Sequence, residues 1–167
     1  MPSLPLRIAI LECGTTPPNA ARKYGSYGGV FASLLRSGAD ALSYPNLSSS
    51  SGLSISTFDV VKNLSYPSIP DIDAILLTAS APNAFDNDPW ILKLVAFVKE
   101  ILEQRRVRIV AACFGHQIVG RALGTKVRRS DKGWEIGVTP IELTKRGQEI
   151  FGQSTLVSTF QHTSPQI

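Results

Sequence analysis

Apolar positions along the chain fall into two interleaved kinds of run. Leu6–Leu11, Ala74–Leu77 and Val107–Val110 are short and nearly continuous, the length of strands, and the last reads as a buried strand. Between them, apolar residues recur every three or four positions from Tyr27 to Leu35, closed by Ser37-Gly38. They recur again from Trp90 to Leu102, where Leu94, Val95, Val98, Ile101 and Leu102 share one helical face behind the start signal Asp88-Pro89. Leu53 to Val61 alternates and predicts a further strand, preceded by a flexible loop over Ser48–Gly52. Pro17-Pro18-Asn19 predicts a loop, and Pro67 to Asp71 a turn. Gly115 to Leu123 predicts a helix with Ile118, Val119, Ala122 and Leu123 on its apolar face and Gly124 as its stop. Ile136 to Leu143 then predicts a strand and Lys145 to Phe151 a short helical turn.

Strands alternating with helices, with near-continuous apolar strands, point to an α/β fold built on a three-layer, open, mostly parallel sheet of flavodoxin-like type. No repeat or long linker divides the chain, so one domain over 1–167 is expected. In such sheets ligands bind beyond the carboxyl ends of the strands, and Glu12, Cys13, Ala79 and Cys113 all fall at such ends.

Composition narrows the function classes. A chain of 167 residues with 43% hydrophobic content can bury a core without disulfides or metals. Its two cysteines, a hundred positions apart, make no disulfide framework, and a reactive thiol fits a reducing compartment. No signal peptide or membrane span is visible, so a cytoplasmic protein with no membrane partner is expected. The net charge of +4 gathers at Arg105, Arg106 and Arg108, and at Lys126, Arg128, Arg129 and Lys132. Neither cluster interleaves aromatics or matches a recognition module, so no nucleic-acid partner is expected. No metal-ligand cluster or phosphate-binding glycine loop is present, and neither metal nor cofactor is expected. A flavin-binding module would need such a loop after the first strand, where Glu12 to Asn19 carries two prolines and one glycine.

Cys113 holds the most informative place. The strand before it and the helix after it force a sharp turn, and the small residues Ala111 and Gly115 flank it two positions away on either side. That is the layout of a nucleophile elbow. The outgoing helix N-terminus directs its positive dipole end and free N–H groups at the sulfur, which suits an anionic nucleophile. On residue type alone a cysteine among apolar neighbours is more often a small core residue, and that reading fits Cys13.

Four ordered stretches resemble the class I glutamine amidotransferase-like family, in particular its GMP-synthase-like and γ-glutamyl peptidase-like small proteins. Cys113-Phe-Gly-His-Gln117 resembles the nucleophile motif. Leu77-Thr-Ala-Ser80 with Asp86-Asn-Asp-Pro-Trp90-Ile-Leu resembles the oxyanion segment, Gly133-Trp-Glu-Ile-Gly137 a substrate-side strand, and Gly25-Ser-Tyr-Gly-Gly-Val-Phe31 the start of the first helix. The resemblance covers about residues 6 to 160. It implies a cysteine amidase that hydrolyses the γ-amide of glutamine or of a γ-glutamyl compound through a γ-glutamyl thioester, with a separate synthase subunit as an open possibility.

Site residues follow from those matches. Cys113 is the expected nucleophile; the N–H of Phe114 is the expected first oxyanion donor, as the residue after the nucleophile. The second donor falls at Ala79 or Ser80, and the family usually has glycine where Ala79 stands. Ser80, Gln117 and Glu135 are candidate substrate contacts, although Gln117 also reads as a solvated first-turn residue and Glu135 as an exposed strand carboxylate. Asp86 and Asp88 read as loop and helix-start residues, Trp134 as packing, and His116 as a packing or supporting residue because it points the wrong way for an elbow base.

The family's downstream base matches His162, 49 positions after Cys113. Ser164 stands where the family has the orienting carboxylate, Pro165 follows, and relatives continue through another strand and helix. The chain therefore reads as C-terminally truncated relative to the family. Two readings stay open: His162 acts as a base without an acidic partner, or the tail is altered and the match is accidental. The alternative to an enzyme is accordingly an inactive family member that keeps the fold as a binding or regulatory protein.

Overall fold

The N-terminal apolar run becomes the middle of a parallel sheet, because its buried residues need neighbours on both sides. The computed structural model describes residues 4–129 and 139–158. In it β1 (Leu6–Glu12) pairs in parallel with β2 (Leu53–Asp59) on one side and β3 (Ala74–Leu77) on the other. β3 pairs with β4 (Arg108–Ala111), giving the order β2-β1-β3-β4. Ile8 to Leu11 and Ala74 to Leu77 are all buried, as continuous apolar strands in a covered parallel sheet must be. β2 alternates because it is an edge strand. It stops at Asp59, whose Oδ1 turns back to accept from the N–H groups of Val61 and Lys62. The expected strand to Val61 is shortened by that Asx turn.

The expectation of burial fails for β4. Arg108 is exposed and Val110 is 57% exposed, since among the described residues β4 forms the other edge of the sheet and meets only β3. Apolar periodicity records what a strand can bury, and an edge position leaves part of it uncovered.

Helices follow the predicted stripes with shifted ends. α1 (Pro18–Tyr24) begins inside the predicted loop, with Pro18 at the first helical position, where its missing N–H costs nothing. α2 (Tyr27–Leu42) starts at Ser26, whose side chain accepts from Gly29 N–H, and runs through Gly38 to a left-handed Ser43. Gly38 is tolerated because burial of Ala39 rewards continuing the helix. α3 (Pro89–Gln104) buries Ile91, Leu94, Val98 and Ile101, each contributing about 1.5–3 kcal/mol. α4 (Phe114–Ala122) buries Phe114, Gly115, Ile118 and Gly120.

The amino ends of β1 and β3 are pinned together by charge. Asp73 accepts from the Arg7 backbone N–H at 2.9 Å and from its Nε and Nη2 at 3.0 and 2.8 Å. Those bonds hold the Asp73 carboxyl at about 2, below the usual carboxylate range. Arg106 Nη1 adds a bond to Ile72 O at 2.9 Å.

The chain divides into two compact units, Met1–Lys126 and Val127–Ile167. The second contains β5 (Thr139–Glu142), α5 (Lys145–Phe151) and β6 (Thr155–Ser158), with β5 and β6 antiparallel. β5 lies within the predicted strand, whose residues 136–138 are outside the described set. α5 matches the predicted turn, and Thr144 caps it by accepting from Gly147 N–H at 3.2 Å. β6 was not predicted: four residues, Thr155-Leu-Val-Ser158, give too short a pattern to separate from a loop.

Candidate active site

β3 and β4 end opposite one another, Leu77 against Ala111, so residues 78–80 and 112–114 leave the sheet side by side. Ala112 N–H donates to Leu77 O at 3.0 Å and so carries the pairing one residue into the turn. Cys113 follows at φ 50°, ψ −107° as the N-cap of α4. A non-glycine residue there is strained by about 1–3 kcal/mol, the signature of a side chain forced onto a tight turn. Its side chain is free and exposed.

Glycine at 115 makes the turn possible. A Cβ at that position would lie 2.5 Å from Leu77 Cβ and 2.8 Å from Leu77 O, so α4 rests directly on the end of β3. Phe114 is buried and stacks on Trp90, centroids 5.5 Å apart, at the start of α3. Among the described residues no acceptor takes the N–H groups of Phe114, Ala79 or Ser80. Three backbone donors therefore stand open on the two segments that emerge together.

The neighbouring loop is built by close approach. A Cβ on Gly14 would meet Ser80 Cα at 3.3 Å, and Ser80 Oγ is buried with no partner among the described residues. Thr78, fully buried, accepts the Cys13 N–H at 2.9 Å and donates to Ala79 O at 3.2 Å. Cys13 itself is inaccessible, and burial pushes its thiol up to about 12, which fits the core reading. Glu12 Oε1 accepts from Gly28 N–H at 2.6 Å and so fixes the start of α2.

Of the expected site residues, Cys113, Phe114 and Gln117 lie on the elbow and first turn of α4, and Ala79 and Ser80 on the adjacent β3 exit. Gln117 is half-buried and donates its N–H to Cys113 O at 3.2 Å. His116 is exposed on α4. Asp86 accepts from the backbone and side-chain amides of Asn83, and Asp88 is the N-cap of α3, so neither forms a carboxylate pair. Glu135, Trp134 and His162 lie outside the described residues. Arg121 was missed: it bonds to the β3–α3 loop, and nothing in its sequence neighbourhood marks it. Among the described residues no group of three or more His, Cys, Asp or Glu side chains could hold a metal, and no helix is long and apolar enough to cross a membrane.

A parallel α/β sheet with a strained, exposed cysteine on a strand-to-helix turn has the layout of a nucleophile elbow. No protein-family model matches the chain. A glutamine amidotransferase-like protein of Schizosaccharomyces pombe is 38% identical over 154 residues, which cover 89% of this chain and 60% of that protein. γ-Glutamyl peptidase 4 of Arabidopsis thaliana is 31% identical over 140 residues, 80% of this chain and 50% of the relative. The crystal structure of a glutamine amidotransferase from Thermotoga maritima matches 95% of this chain and 60% of its own with a TM-score of 0.69 at 17% identity, a likeness of fold. By sequence the chain is a relative of the glutamine amidotransferase-like proteins, and it spans 50–60% of the length of these two curated relatives.

Proposed function

We propose that this chain is a glutamine amidotransferase-type cysteine amidase, in one domain, cleaving the γ-amide of glutamine or of a γ-glutamyl compound. The observation that carries the reading is the strained, exposed Cys113 beside backbone N–H groups that no described acceptor takes. Cys113 Sγ attacks the γ-carbonyl carbon, and the negative charge that develops on its oxygen falls to the N–H of Phe114 and of Ala79. As the tetrahedral species collapses, the C–N bond breaks and the leaving amine takes a proton from the base, for which His162 is the candidate. Water then hydrolyses the γ-glutamyl thioester and returns the thiol. Ser80, Gln117 and Glu135 are the candidate substrate contacts.

The name of the γ-glutamyl peptidase relative supports a γ-glutamyl small molecule as substrate, and a separate synthase subunit is the other partner proposed. A cytoplasmic setting suits the free thiol. The test is Cys113→Ala assayed with glutamine and with a γ-glutamyl dipeptide. Turnover should fall to background with both, and a variant that keeps wild-type turnover removes the proposal. A glutamine-derived affinity label should attach to Cys113 and not to Cys13.

A further inference from the structure

Arg121, in the last turn of α4, reaches across to the loop between β3 and α3. Its Nη1 donates to the carbonyl oxygens of Ala84 at 2.9 Å and Asp86 at 2.7 Å, and its Nη2 donates to Asn87 Oδ1 at 2.7 Å. The segment it grips is already a closed turn. Asp86 N–H donates to Asn83 O at 3.1 Å, and Asp86 Oδ2 accepts from the Asn83 backbone and side-chain amides at 3.2 and 3.1 Å. Ala84, within that turn, is fully buried.

The two ends of α4 thus hold the two ends of one loop. At the N-terminus, Gly115 lies on Leu77 and Ala112 N–H bonds to Leu77 O, which fixes where the loop leaves β3. At the C-terminus, Arg121 fixes residues 84–87, just before Trp90 returns to stack on Phe114. Residues 79 and 80, with their open N–H groups, lie on the span between these two fixed points.

We propose that Arg121 is a positioning residue for amide cleavage: it sets the distance between the elbow and the 79–80 donors by clamping the far end of their loop to the nucleophile's own helix. The inference rests on the amidase reading of Cys113. The guanidinium is required as a fork. Three acceptors on residues 84, 86 and 87 are spanned by a planar group with fixed N–H directions, whereas a lysine ammonium is a compact point charge on a flexible stem.

Arg121→Lys and Asn87→Ala, the second removing one exposed acceptor, are assayed with glutamine and a γ-glutamyl anilide. The rate of Cys113 alkylation by iodoacetamide, which uses the sulfur but no oxyanion donor, is measured alongside. A misplaced donor lowers kcat with little change in KM, because its bond forms in the transition state. For Arg121→Lys a loss of about tenfold to a hundredfold in kcat is expected, with Cys113 alkylation unchanged. Asn87→Ala should lose a few-fold in the same parameter. Wild-type kcat in Arg121→Lys overturns the inference and leaves the amidase reading standing. A parallel fall of kcat and alkylation also overturns it, since the clamp would then support the elbow as a whole. A wild-type protein without turnover on either substrate removes the amidase reading first, and the inference with it.

Discussion

Gly115→Ala tests the contact on which the elbow depends. The added Cβ would stand 2.5 Å from Leu77 Cβ and 2.8 Å from Leu77 O, where carbon atoms settle at about 3.5–4.0 Å. Because one of those atoms is backbone at the end of a buried inner strand, relief has to come from α4 lifting by about 1 Å. Overpacking of this kind costs about 1–3 kcal/mol, while alanine for glycine in a helix returns about 1 kcal/mol. The net loss is up to about 2 kcal/mol, and the Tm falls by up to about 8 °C for a chain of this length. The chemistry should suffer more than the fold, since a shift of about 1 Å in the Phe114 N–H can cost up to a hundredfold in turnover. Gly38→Ala supplies the control: a Cβ there meets nothing within 4 Å, so the same exchange should raise stability by up to about 1 kcal/mol. Thermal and urea unfolding of both variants, with iodoacetamide kinetics at Cys113, decide the matter. Gly115→Ala melting at or above wild type with unchanged Cys113 kinetics would refute the close approach of α4 to β3.

Three further outcomes are expected. In native protein at pH 8 one thiol should alkylate and in denaturant two, because Cys13 is fully buried and, titrating at about 12, is thiolate in only on the order of one molecule in ten thousand; two fast thiols in the native state would contradict its placement. Cys113→Gly should be more stable than Cys113→Ala by about 1 kcal/mol in urea unfolding, since glycine accepts φ 50° and alanine keeps the strain, with part of the gain lost to unfolded-state entropy; the reverse order would mean the turn is unstrained. Asp73 is held at about 2 in the folded state, below its ordinary value near 4, so its stabilising effect is full above pH ~5 and is lost as pH falls through ~2. The stability gap between wild type and Asp73→Asn should therefore be constant from neutral pH to about 5 and close between about 4 and 2; a gap that persists at pH 2 would place the effect elsewhere.

The central strands, the long helices and the elbow were legible because each rests on a local pattern with one physical cause. Leu6–Leu11 and Ala74–Leu77 are continuous because both sheet faces are covered, and the stripe Leu94, Val98, Ile101 is helical because one face is. Strand position was not legible: Val107–Val110 has the composition of an inner strand, and only the pairing order shows that it borders β3 alone among the described residues. Neither was the clamp. Arg121 bonds to two main-chain oxygens 35 and 37 positions away and to the Asn87 side chain 34 away, and the backbone acceptors carry no side-chain identity for a pattern to register. The roles of Gly14 and Gly115 are likewise tertiary, set by the backbones they touch rather than by the turns they occupy.

Those same contacts bear on the choice between an enzyme and an inactive relative. An elbow retained only for its fold has no reason to keep a strained cysteine: glycine at position 113 would give the same turn without the cost of about 1–3 kcal/mol. Nor would it need open N–H groups on the neighbouring 79–80 segment, which folding alone rewards closing with a side-chain acceptor. Exposed thiol, backbone strain and open donors occur together on two adjacent strand exits, and the strain is unfavourable for stability. The proposed amide cleavage would use all three at once, with the sulfur attacking and the donors receiving the charge that the attack creates.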